Sequence, residues 1–148
     1  MTKRAVCLVM VALSASGCRG GDYDGLHLED AWARPTPDVA ATAAFFVTID
    51  NSSDIDETLI GARSTACRVA EVHRTSMHDG VMRMEQITSG IEIPSFEIVV
   101  REPGGFHIMC IDRLAPFTEG ARLALTLEFV DGSGNRQDES VTALVEDR

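Results

Sequence analysis

His73, Met84, His107 and Met109 supply two imidazoles and two thioethers at spacings that could converge on one ion. The chain has six methionines; Met1 and Met10 lie in a leader-like N-terminal stretch. The other four, Met77, Met82, Met84 and Met109, share one window with His73, His78 and His107. Thioether sulfur is polarisable and imidazole borderline, so the set suits monovalent copper far better than magnesium, calcium or manganese. Zinc is disfavoured because its protein sites use thiolate, imidazole and carboxylate. Neutral donors leave the site at the charge of the ion itself, which favours Cu(I) over Cu(II). Methionine has no proton to release and cannot be lost to a disulfide. Such a donor set holds an ion and lets it leave, which is transfer chemistry and not catalysis.

Other readings stand beside this one. A methionine commonly fills a gap in a core, and His107 alone would read as a satisfied buried histidine. A blue-copper electron carrier would need two histidines, a thiolate and a weak methionine, and Cys110 follows Met109 directly. In a strand, however, Cys110 points away from His107 and Met109, toward the face of Phe106 and Ile108. A non-metal exported binding module with incidental histidines and methionines is the third reading. No nucleophile elbow, phosphate-cradling loop or CxxC pair supports an enzyme. His27 and His78 are expected at the surface and Trp32 in the core.

The elements that must position these side chains read as short strands. Ala43 to Ile49, Phe96 to Val100, Phe106 to Ile111 and Leu123 to Val130 are apolar or alternating, and turn-formers separate them. This spacing predicts an all-β chain, an antiparallel Greek-key β-sandwich or barrel. A turn of helix could fit only at Thr65 to Glu71. A two-residue Asp79-Gly80 turn fixes hairpin register, setting His78 opposite Val81, Met77 opposite Met82 and Thr75 opposite Met84. His73, Thr75, Met77, Met82 and Met84 then project to one side, with Met77 and Met82 as auxiliary donors. His107 and Met109, two apart, also share a face. Whether the two pairs meet depends on docking between strands distant in sequence.

A length of 148 residues fits one domain. Lys3 and Arg4, then an apolar run to Leu13 and small residues before Cys18, read as an export signal over residues 1–17. The run is too short to span a bilayer as a helix. Ala15-Ser16-Gly17-Cys18 resembles a bacterial lipobox, making Cys18 the lipidated residue, residues 18–26 a tether and residues 27–148 the domain. The expected location is the periplasmic side of a bacterial membrane, held by lipid only. The formal net charge of −10 would become more negative on loss of Lys3 and Arg4, which argues against nucleic acid as a partner. With Cys7 in the leader and Cys18 at the anchor, Cys67 and Cys110 remain as a plausible disulfide.

Together these residues resemble the PCuAC family of periplasmic copper chaperones. Similarity runs through Ala31-Trp32-Ala33-Arg34-Pro35-Thr36-Pro37, Ala43 to Asn51, Glu71-Val72-His73 and Gly80-Val81-Met82-Arg83-Met84. It continues in Gly90 to Pro94, Pro103 to Met109 and Leu123 to Phe129. The family motif is a histidine, a methionine eleven positions on, and a later His-x-Met, which His73, Met84, His107 and Met109 match. The resemblance implies a cupredoxin-like sandwich, monomeric, binding Cu(I). Its expected acceptor is the CuA centre of cytochrome c oxidase or a Sco-type protein, with copper storage as the alternative role. Three departures stand out. The stretch from Met84 to His107 is one residue longer than expected, an insertion placed within Ser95 to Glu102. Thr75 stands where many members have another methionine. The chain ends in Glu-Asp-Arg where some members carry a histidine- and methionine-rich tail, so simultaneous Cu(II) binding is not expected.

Overall fold

The computed structural model describes residues 25–99 and 105–148. Those residues form ten strands and no helix: β1 (Leu26–Ala33), β2 (Thr42–Asn51), β3 (Glu57–Arg63), β4 (Cys67–His78), β5 (Val81–Gln86), β6 (Ile91–Ile93), β7 (Glu97–Val99), β8 (Phe106–Arg113), β9 (Arg122–Asp131) and β10 (Arg136–Val145). The expected leader, Cys18 and most of the tether lie outside the described residues. Leu26, placed in the tether by sequence, is instead buried as the first residue of β1. The helical turn considered at Thr65 to Glu71 does not form. Thr65 and Ala66 make a turn and β4 starts at Cys67, because the segment's backbone groups find a long partner in β8.

Hydrogen-bonded strands run in the order β5-β4-β8-β2-β1-β10-β9-β3-β6, and an added β3–β4 pairing brings the path back on itself. Pairings are antiparallel except β1 with β10, which run parallel. Period-two alternation builds the core. Along β2, Ala43, Phe45, Val47 and Ile49 point inward, and along β9 Leu123, Leu125, Leu127 and Phe129 do the same. On β8 the inward residues are Ile108 and Cys110. Cys67 and Cys110 are joined by a disulfide with Cα atoms 5.4 Å apart, tying the start of β4 to β8 inside the core. Cys110 thus faces away from the histidines, which removes the thiolate that a blue-copper site needs.

The opposite, outward face of β5-β4-β8-β2 carries the residues of interest. Trp32 is buried, stacked on Phe46 at 4.3 Å between ring centroids. The Arg148 guanidinium lies 5.5 Å over the Trp32 ring. This small apolar layer on the outside of the sheet ends against His107.

Candidate metal centre

The β4–β5 hairpin turns through Asp79 and Gly80, at φ 50° and 76°. Both lie in the left-handed region that a two-residue hairpin turn of this type demands. The register is His78 with Val81, Met77 with Met82, and Thr75 with Met84. Met84 therefore sits beside Thr75, one pleat along from His73, on an edge strand whose six residues are all exposed. β4 also pairs with β8 on its other side, setting His73 directly opposite His107 and Glu71 opposite Met109. The two imidazole rings come within 5.9 Å, centroid to centroid. β8 pairs in turn with β2, where Ala44 lies opposite Met109.

An open groove of about 450 Å³ results, with Thr75, Met82 and Met84 on one side and Phe46, His107 and Met109 on its floor. His107 is 5% exposed and Met84 58% exposed, so the donors run from buried to open. Burial pushes the His107 imidazolium pKa below its ordinary value; a hydrogen bond with the Gly105 backbone opposes this and the nearby His73 adds to it. His107 is thereby kept neutral near neutral pH, with a lone pair available to a metal.

His73 is held differently. Its Nε2 lies 2.8 Å from Glu71 Oε2, and since a carboxylate accepts, Nε2 carries the proton. The other ring nitrogen, Nδ1, is buried and has no hydrogen-bond partner. An unpaired buried lone pair is costly, and a carboxylate fixing the far nitrogen of a histidine is what metal-binding imidazoles use. Among the described residues no three histidine, cysteine or acidic side chains converge. The further soft donors on the face of the histidine pair are thioethers, and two imidazoles with thioethers suit a soft monovalent cation better than an oxygen-seeking one.

The fold thus brings His73, Met84, His107 and Met109 onto one face: Met84, His107 and Met109 line the groove, and His73 adjoins it beside His107. Met77 and Met82 extend that face toward the hairpin tip, and Met77, Met82 and Met84 are 67%, 65% and 58% exposed. That exposure removes the core-filling reading for these three. His78 is exposed at the turn. His27, expected at the surface, is half-buried in β1 with Nε2 shielded from solvent, because β1 is an interior strand between β2 and β10. Pro103 and Gly104, part of the matched stretch that leads into His107, lie outside the described residues. Glu71 was not singled out as a functional residue by sequence, although its two-residue spacing from His73 in a strand placed both on one face.

Residues 26–139 match the family described as "Putative lipoprotein LpqE-like". "Putative lipoprotein Lxx21020" of Leifsonia xyli subsp. xyli (strain CTCB07) is 29% identical over 140 residues, spanning 88% of this chain and 83% of that one. Among solved structures, the copper-bound PCuAC domain from PmoF2 superposes with a TM-score of 0.65 at 24% identity, over 83% of this chain and 93% of the other. The solution structure of CuI-DR1885 from Deinococcus radiodurans gives a TM-score of 0.55 at 19% identity, over 88% and 84%. The chain has the cupredoxin-like fold of these PCuAC structures.

Proposed function

The chain belongs to the LpqE-like family, and we propose that it is an exported, lipid-anchored carrier of monovalent copper that binds one Cu(I) through His73, Met84, His107 and Met109. The observation that carries the proposal is the pairing of His73 with His107 across β4 and β8, with Met84 and Met109 on the same face. The copper named in PmoF2 and DR1885 structures of the same fold supports it. Export and lipid attachment at Cys18 draw support from the leader and from the lipoprotein descriptions of the family and the Leifsonia relative.

Transfer follows from the exposure gradient. An incoming soft ligand on an acceptor meets Met84 first, on the open edge strand, while buried His107 is reached last. One donor bond to copper breaks as one to the acceptor forms, and copper stays monovalent throughout. Thioethers release no proton, so the exchange needs no acid or base. This favours a carrier over an enzyme. The acceptor that suits such a donor is a copper site on an exported or membrane protein, the CuA centre of cytochrome c oxidase or a Sco-type intermediary; storage of copper is the second role the same site could serve.

A competition titration with a chromogenic Cu(I) chelator tests the proposal, run on wild type beside His73→Ala and Met84→Leu. One tight Cu(I) per protein, weakened in both variants, is expected. Failure of the wild type to withdraw copper from the chelator would overturn the carrier reading.

A further inference from the structure

The outer end of the hairpin has a property that folding does not explain. Met77 and Met82 are 67% and 65% exposed, although burying a methionine would stabilise the fold by about 1.5–3 kcal/mol each. They are also placed with some exactitude. A two-residue turn makes His78 and Val81 the hydrogen-bonded pair next to the loop. The following pair, Met77 with Met82, is then the non-hydrogen-bonded kind, with Cα atoms about 4.5 Å apart and side chains at their closest. Both thioethers share a face with Thr75 and Met84, and Met82 lines the same groove as Met84, His107 and Met109. His78 alternates to the other face.

We propose that Met77 and Met82 form a second soft-cation site, an exposed two-thioether station that takes up monovalent copper and passes it along the groove to Met84. The station's role as a loading point rests on the inner site being the copper site described above. The passage is a ligand exchange in which the copper bond to Met77 sulfur breaks as a bond to Met84 sulfur forms. No electron or proton moves. With two thioethers and no imidazole the station binds more weakly than the inner site, so it loads first in time and fills second at equilibrium. Met77 and Met82 lie farther out along the hairpin than any inner donor, which is where an arriving ion or donor protein makes contact.

Silver(I), a redox-inert stand-in for Cu(I), can be titrated into the protein carrying 13C-labelled methionine methyl groups. The first equivalent is expected to shift the Met84 and Met109 methyl resonances and the second those of Met77 and Met82. The double variant Met77→Leu/Met82→Leu conserves volume at exposed positions and should keep its fold. It should retain the first event at Met84 and Met109, lose the second, and take Cu(I) from a chelator several-fold more slowly. If Met84 and Met109 respond while Met77 and Met82 stay unmoved in excess silver, the station is wrong and the inner site stands. If Met77 and Met82 alone respond, the two-thioether site stands but the passage to Met84 and the inner ligand set fail; if neither pair moves, both sites fail.

Discussion

At the scale of single residues, the two histidines are prepared by opposite means. Glu71 fixes the proton of His73 on Nε2 and leaves Nδ1 without a hydrogen-bond partner, whereas burial keeps His107 neutral. Replacing Glu71 with alanine should lower Cu(I) affinity roughly 10- to 100-fold, the range for a lost outer-shell partner. Glu71→Gln, which still offers an oxygen to Nε2–H, should lose much less. Competition titration with an NMR readout of the His73 tautomer checks this; equal affinity and an unchanged tautomer in the alanine variant would contradict it. For His107 the folded pKa is depressed, so its contribution to stability is complete above the ordinary histidine value of about 6.5 and is lost as pH falls through the folded pKa. In copper-free protein, the stability difference between wild type and His107→Gln should shift against wild type as pH drops through that window. A pH-independent difference in urea unfolding would remove the claim. Glu71 shows what period-two reading could have found: two positions before His73 in a strand, it had to share the histidine's face.

At the scale of elements, the β4–β5 hairpin decides where Met84 goes. Its register was legible in sequence because Asp79-Gly80 permits essentially one tight turn, and the observed pairs are those the turn predicts. The pairing of β4 with β8 was not legible, since His73 and its partner His107 are 34 positions apart in sequence, and local pattern says nothing about such contacts. The helical turn suggested at Thr65 to Glu71 failed for the same reason: the long β8 partner overrode a short local pattern. Gly80 adopts φ 76°, so Gly80→Val forces a β-branched residue into the left-handed region at a cost of about 1–2 kcal/mol. Because β5 pairs, among the described residues, with β4 alone, most of that strain should appear as local opening of the hairpin. Hydrogen exchange should quicken across Thr75 to Gln86, and Cu(I) affinity should fall although no donor has changed. Unaltered exchange and affinity would show that the turn does not position Met84.

At the scale of the whole molecule, one sheet face builds the core and the other carries the proposed copper donors, so stability and binding should be separable. The disulfide between Cys67 and Cys110 lies wholly on the core side and spans a sequence separation of 43 residues. Its closure entropy is worth about 4 kcal/mol by the loop model, with measured bridges at about 2–4 kcal/mol. Cys67→Ala/Cys110→Ala should therefore unfold at markedly lower urea while keeping Cu(I) affinity when folded. Loss of affinity in proportion to stability would show the two faces to be coupled. The two cysteines were paired in sequence only by setting aside Cys7 and Cys18; their proximity is a product of the β4–β8 docking that also brings His73 to His107.

The measurement that bears most directly on the copper-carrier account is X-ray absorption at the copper edge of the Cu(I)-loaded protein, wild type beside Met109→Leu, a nearly volume-conserving change that should leave the fold intact. The account predicts a monovalent edge with a mixed sulfur and imidazole shell, and one sulfur fewer in Met109→Leu. A shell of nitrogen and oxygen alone, or a sulfur contribution unchanged by Met109→Leu, would contradict it.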